Sequence, residues 1–369
     1  MSIASRLKYA RQAMNLTLNE VEELTGIGSS TLSEFENGKR DPRLFQLKQL
    51  SEAYRRSLAF FLDEGKLLPE VVLWRQKPTS PRAEEVQADL LKLAEQYHNL
   101  ELWCDDVEEL DLPFASGNAE TFDYPKAEKL ARDFRTKYGL GERPGQMLLR
   151  VLEEVCKVKV FHLLFEPTGS AACTQSDRYG AAVLLNSHNV RWRRNFDLAH
   201  ELFHLLTWRV FRQETHSEGV EASDREEKRA TCFARNLLIP QESLRIAIDS
   251  QRDGHTKLTF DGLFEVARQF DVSVEALLWQ MSFVYRIPKE RIQDTLERLQ
   301  GQVGFWDDRE RDEPSVRPLR FRVLARQALR KGLLSTGRYA EYLGISRRDA
   351  METVEQDAVE DAEVEVVDS

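Results

Sequence analysis

Cysteine is scarce in this chain, and the four it has, Cys104, Cys156, Cys173 and Cys232, are scattered without a CxxC pair. No disulfide framework follows from that spacing, so reduced thiols in a cytoplasm are expected. Long apolar runs are missing too: nothing approaches the roughly 20 residues that cross a bilayer, and the N-terminus lacks a signal-peptide core. The expectation is a soluble cytoplasmic protein with no membrane partner. Nor is there an excess of positive charge, since 52 Lys and Arg face 62 Asp and Glu for a net charge of −10. A uniformly basic nucleic-acid coat is excluded, whereas a local DNA-reading surface is compatible with a negative total. The 369 residues leave room for two or three domains.

What is present is concentrated in residues 196–208, FDLAHELFHLLTW, which hold His200, Glu201 and His204 in the order HExxH. On a helix of about 3.6 residues per turn, positions i and i+4 share a face, so both imidazoles reach one metal ion. Glu201 sits beside that face, placed to take a proton from a water rather than to be a ligand. Zinc is the default metal for two imidazoles, a carboxylate and a labile water, one ion per chain. An amphipathic helix with two polar-face histidines is the bland alternative. Against it, Phe196, Leu198, Ala199, Leu202, Phe203, Leu205 and Leu206 make the helix apolar nearly all round, which marks it as buried. Histidines and a carboxylate buried there need partners, because burying them alone costs several kcal/mol.

A third ligand is expected on a downstream helix. Residues 224–238, DREEKRATCFARNLL, carry Ala230, Phe233, Ala234, Leu237 and Leu238 at helical spacing and stop before Pro240. Glu226 and Glu227 both lie one turn before that stripe, and both also fit as first-turn acids favoured by the helix dipole. The spacing does not choose between them.

These segments resemble the ImmA/IrrE family of zinc metallopeptidases, which carry R-x-x-F-T-L-A-H-E-L-G-H followed by E-x-x-A-n-x-F-A-x-x-L-L-x-P. Here the matching residues are Arg193, Phe196, Asp197, Leu198, Ala199, His200, Glu201, Leu202, Phe203 and His204, then Glu227, Ala230, Phe233, Ala234, Leu237, Leu238 and Pro240. The resemblance favours Glu227 as third ligand, and it implies a zincin-like metallopeptidase domain over about residues 125–300. Asp197 replaces the usual Thr and Phe203 the usual Gly, a large ring beside His204 that narrows the cleft or changes what packs over it. His188, Arg193 and Asp197 are candidates to support the ligands or to donate to a developing oxyanion. His162 and His216 are read as packing or surface residues.

The N-terminal 65 residues read as five short helices, with Gly26 and Asn37-Gly38 as stops, Ser29-Ser30-Thr31 opening the third and Asp41-Pro42 the fourth. A helix, a tight glycine turn and a hydroxyl-rich second helix is how a helix-turn-helix faces the major groove. Residues 25–42, TGIGSSTLSEFENGKRDP, resemble a Cro/repressor-type (XRE) helix-turn-helix. By that resemblance Ser29, Ser30, Thr31 and Ser33 face bases or phosphates of a double-stranded operator, Lys39 and Arg40 sit near the DNA backbone, and the protein binds as a homodimer. Glu22 departs from the usual Ala, and with Glu20, Glu23, Glu34 and Glu36 it opposes phosphate approach.

Between the two, residues 66–124 read as a proline-marked linker with one amphipathic helix over 83–102. Alternation over Val158, Val160, His162 and Leu164, and the apolar run 179–186, predict two strands. The charged stretch 309–318 reads as a hinge, residues 314–350 as a small helical element of helix-turn-helix or docking type, and 351–369 as a disordered acidic tail. The fold class is therefore mainly α with a small β-sheet (α+β).

Two functions follow. One is a DNA-bound regulator carrying its own zinc peptidase, for which the resemblance implies a repressor or antitoxin-like substrate. The other is a non-proteolytic transcription factor or toxin-antitoxin component whose metal domain senses or docks.

Overall fold

The computed structural model describes residues 2–63, 70–79, 82–165, 169–212, 221–252, 258–299 and 312–354. His216 and residues 355–369 of the acidic tail lie outside these residues.

Five helices open the chain: α1 (Ile3–Ala13), α2 (Leu18–Thr25), α3 (Ser29–Glu36), α4 (Leu44–Ala53) and α5 (Leu58–Leu62). Leu7, Val21, Leu32, Phe35, Leu50 and Phe61 form their common core. Local chemistry sets the ends. Thr17 and Glu20 close a reciprocal capping box on α2, and Gly26, at φ 70°, ends it in the left-handed region that glycine adopts without strain. The fourth helix starts at Leu44 rather than at Asp41-Pro42, with Gln46 Oε1 accepting from the Arg43 N–H.

Four strands form one sheet: β1 (Val72–Trp74), β2 (Lys159–Leu163), β3 (Ala171–Ser176) and β4 (Gly180–Asn186), in the order β1-β3-β4-β2. β2 and β4 are parallel and the other pairs antiparallel. The remaining helices are α6 (Ala83–Cys104), α7 (Tyr124–Lys137), α8 (Leu148–Glu154), α9 (Arg191–Leu206), α10 (Trp208–Phe211), α11 (Asp224–Leu238), α12 (Gln241–Arg252), α13 (Phe260–Phe270), α14 (Val274–Tyr285), α15 (Lys289–Leu299), α16 (Leu319–Arg330) and α17 (Thr336–Leu343).

Because strand side chains alternate between faces, the sheet serves two cores. Val160, Cys173 and Val183 point toward α7, α9 and α11. Phe161, Ala172 and Leu184 point the other way, toward Leu90 and Tyr97 of α6 and Phe321 and Leu324 of α16. This arrangement corrects three expectations. The stretch 66–124 is not a simple linker, since it supplies an edge strand and a helix buried on several sides. Residues 314–350 are not a free docking element, since α16 and α17 cover the second face of the sheet together with α6. The described part of the hinge is packed: both oxygens of Asp312 accept from Arg194 at 2.7 and 2.6 Å, and the Val316 carbonyl accepts from the His162 N–H of β2.

The acids of α6 explain why it looked amphipathic. Glu95 and Glu101 are buried, yet each finds cations from distant sequence. Arg178 lies 3.0 Å from Glu95, while Lys159 and Arg320 lie 3.0 and 2.7 Å from Glu101. A buried carboxylate is tolerated only with such partners.

Candidate metal centre and nucleic-acid surface

The centre is made by two helices packed on one face of the sheet. From Arg194 to Leu206, α9 is buried at every residue but Phe196, because its apolar side chains pack against β3, β4 and α11. This fixes the two histidines. His200 and His204 are both fully enclosed, and their rings stand 5.2 Å apart on one face of the helix.

α11 brings the carboxylates. Its N-cap Ser223 accepts from the Glu226 N–H, starting the helix where Glu226 and Glu227 face α9. Ligand atoms of His200, His204 and Glu227 all lie within 4.8 Å of one another. Glu227 Oε2 is 3.0 Å from His200 Nε2 and its Oε1 is 3.2 Å from His204 Nε2. Glu226 is placed differently: it takes His204 Nδ1 at 2.8 Å and is itself held by Arg212 at 2.8 and 3.1 Å. The two adjacent acids therefore divide the imidazole of His204 between them. A carboxylate on the far nitrogen is what orients a ligating histidine, and Glu227 lies on the near side.

The charge state without an ion is consistent with this division. Burial pushes His200 down to about 3, despite its bond to the Glu227 carboxylate. Burial acts in the same direction on His204, but its bonds to Glu226 and Glu227 outweigh it and hold the ring up at about 9. Burial opposes ionisation of Glu227 too, yet the two imidazoles keep it down at about 2. A proton on His204 thus balances carboxylates at the place where a cation fits.

Glu201 stands apart. It is completely buried, its oxygens meet no N–H or O–H donor among the described residues, and the polar group beside it is the buried Cys173 thiol of β3. Burial raises it to about 7. Two imidazoles, one carboxylate and an adjacent buried carboxylic acid fit a divalent cation with a reacting water.

The supporting residues expected from sequence are scattered. Asp197, one turn before Glu201, is buried and forms an ion pair with Arg75 beside β1. Arg193 and His188 are exposed, and His188 is tied by its backbone N–H to Asn186 Oδ1 at 3.0 Å. His162 is buried, and burial lowers it to about 4, as a packing histidine requires. Phe203 lies beside His204 as expected, its ring edge-on with centroids 5.8 Å apart. It fills an aromatic cluster with Phe122, Phe211 and Phe233 at centroid distances of 5.8, 6.3 and 5.7 Å. Sequence reasoning does not find Arg75 or Arg212: Arg75 pairs with an acid more than a hundred residues away, and Arg212, 14 residues before Glu226, lies on no shared helical face with it.

Residues 7–61 match the family model described as Helix-turn-helix, and residues 153–282 match the one described as IrrE N-terminal-like domain, of the M78 peptidases. The chain joins a helix-turn-helix domain to an IrrE-like domain. The IrrE-like match begins at α8 and holds the entire His200, His204 and Glu227 cluster, within the wider 125–300 expected from element order. The chain is also similar to the HTH-type transcriptional regulator ImmR of Bacillus subtilis (strain 168), at 37% identity over 67 residues, 18% of this chain and 53% of that protein. It thus spans about half the length of this relative. A match to the crystal structure of ComR from Streptococcus suis covers 98% of this chain and 96% of that one at 13% identity, with a TM-score of only 0.16.

In the helix-turn-helix, Ser30, Lys39 and Arg40 are exposed and Ser29, Thr31 and Ser33 half-buried. The acids there are mostly engaged. Glu20 caps its own helix, and Glu36 takes Arg11 through two bonds of 2.7 and 2.8 Å. Glu22 Oε2 accepts from the Ser29 N–H at 2.8 Å, capping α3 where Gly28 has no side chain to do so. That bond keeps the Glu22 carboxyl below its ordinary range. Among the described residues no helix is long and apolar enough to cross a membrane.

Proposed function

We propose that this chain is a DNA-binding transcriptional regulator whose IrrE-like domain is a zinc metalloendopeptidase acting on a repressor or antitoxin-like protein. The observation that carries the reading is the convergence of His200, His204 and Glu227 beside a completely buried Glu201 whose oxygens meet no N–H or O–H donor among the described residues. His200 and His204, with Glu227, would hold the ion, and the mixed nitrogen and oxygen donor set suits zinc. When bound, the ion supplies Lewis-acid chemistry at a peptide carbonyl. Glu201 accepts the proton of the attacking water and returns it to the leaving amine, and a carboxyl held near 7 is suited to both transfers. Glu226 and Arg212 keep His204 in the orientation that presents Nε2.

On the DNA side, α3 presents Ser29, Ser30, Thr31 and Ser33 to the major groove of an operator, and Lys39 and Arg40 reach its phosphates. A homodimer on paired half-sites is the arrangement such a module uses. The similarity to ImmR, a transcriptional regulator, supports this half of the reading. The test is Glu201→Gln. Zinc content should be unchanged while cleavage of co-expressed neighbouring-gene products is lost, and cleavage at the wild-type rate would overturn the mechanism.

A further inference from the structure

The strand β1 does not belong to the matched IrrE-like region, which begins at residue 153, yet it pairs with β3 inside it. Without β1, β3 would be an open edge, and an open edge is a template for an incoming extended peptide. The chain fills that edge itself. Val72, Leu73 and Trp74 lie opposite Thr174, Cys173 and Ala172. The pairing is extended on both sides: Thr174 Oγ1 donates to the Val71 carbonyl at 2.8 Å, Arg75 N–H to Ala171 at 3.1 Å and Ser170 N–H to Gln76 at 3.3 Å.

This edge borders the metal-ligand helix. Leu73 and Cys173 share a core with Leu198 and Leu202 of α9. Arg75 is ion-paired with Asp197, one turn from Glu201, and its guanidinium lies 4.9 Å from the centroid of the Phe196 ring. The pairing is also short, three residues in β1 against six in β3 and seven in β4. A brief edge strand is the element of a sheet most readily exchanged.

We propose that residues 71–76 occupy, in cis, the position that an extended peptide substrate takes beside the metal centre, and that they leave the β3 edge when such a peptide binds. The inference rests on the peptidase reading for what the peptide is, and on the sheet alone for where it lies. Because this segment joins α5 to α6, its displacement acts on the attachment of the helix-turn-helix as well.

The test is a locked strand. Val72 and Thr174 are directly opposite, and antiparallel partners have Cα separations of about 4.5–5.5 Å, within the range a disulfide spans. In the full-length zinc-loaded Val72→Cys/Thr174→Cys protein, oxidation closes the lock and reduction opens it, with Thr174→Cys alone as control and thiol titration to verify closure. The probe is a fluorescent peptide EVVLWRQK, the chain's own residues 70–77. The reduced protein should bind it at least about tenfold more tightly than the oxidised one, and Leu73→Asp should bind it more tightly than wild type. Equal binding by the locked and open forms, or no binding by either, overturns the proposal. Zinc-dependent casein cleavage is followed in parallel. Lock-dependent binding without cleavage in any form supports the strand exchange and refutes the peptidase reading instead.

Discussion

Replacing Glu226 by glutamine separates the roles of the two adjacent acids on α11. Glu226 touches only the far nitrogen of His204, at 2.8 Å, and Arg212. Glutamine keeps a carbonyl acceptor at that distance but loses the charge that polarises the imidazole. Removing such a supporting carboxylate lowers metal affinity by about 10–100-fold, or about 1.4–2.8 kcal/mol. Glu227→Gln should cost more than that range, because it takes an anionic oxygen from the ion itself. The assay is competition for zinc against a chromophoric chelator at pH 7.5, with each variant's folded fraction measured first. That check matters because Arg212 and Glu226 are both buried. Breaking such a pair costs up to about 3–5 kcal/mol of stability, less when a dipole replaces the charge. If Glu226→Gln lost more zinc affinity than Glu227→Gln, the two acids would have been assigned the wrong way round.

Three further outcomes follow from the same geometry. Glu201 is buried with its carboxyl raised to about 7, so the unfolded chain releases this proton first and stability falls as pH rises from about 4.5 to 7. Glu201→Gln should therefore stabilise the metal-free protein at pH 8 by on the order of 1–3 kcal/mol and not at pH 4, as read by urea unfolding; an equal gain at both pH values would refute the burial argument. In the metal-free protein His204 is held at about 9 and Glu201 at about 7, so zinc binding at pH 7 should expel about one proton from His204 and up to about half of one more from Glu201. Calorimetry in buffers of different ionisation enthalpy counts them, and zero release would contradict the imidazolium between the two glutamates. Finally, Glu22 places a carboxylate at the N-terminus of α3, where a phosphate would otherwise be favoured. Glu22→Gln should tighten binding to operator DNA and steepen its dependence on salt, by fluorescence anisotropy across a salt series; unchanged affinity would mean that this helix end does not face the DNA backbone.

The sequence exposed those parts of the molecule whose signals are local. The N-terminal helices are legible because Gly26 and Asn37, the stops of α2 and α3, sit within a turn of the segments they limit. The metal cluster was visible because a four-residue spacing fixes two ligands on one helix. β3 was not visible: Ala171 to Ser176 reads AACTQS, small and polar residues without alternation, and only its pairing on both sides makes it a strand. β1 is three residues in a proline-marked stretch, too short for any period to show. The choice between Glu226 and Glu227 needed the direction of each side chain, which helical spacing does not carry.

The buried acids of α6 carry the largest difference between the linker expected over 66–124 and the structure. From sequence, 83–102 reads as an amphipathic helix in a proline-marked linker, a pattern that gives no sign that Glu95 and Glu101 are buried. Their partners make the opposite case. Glu95 accepts from Ser57, the cap of α5, at 3.0 Å and pairs with Arg178 of the β3–β4 turn. Arg55, beside α4, pairs with Glu85 and Asp89 at 2.8 and 2.6 Å, near the start of α6. Glu101, farther along, pairs with β2 and α16. The helix-turn-helix thus meets the sheet of the IrrE-like domain through one shared helix whose charges are neutralised from both sides. Swinging the head away would strip Glu95 of its hydroxyl donor and break the two Arg55 ion pairs, so the attachment is a charged joint and not a flexible leash. A peptide that displaced β1 would act on that joint directly, because β1 is the segment entering it.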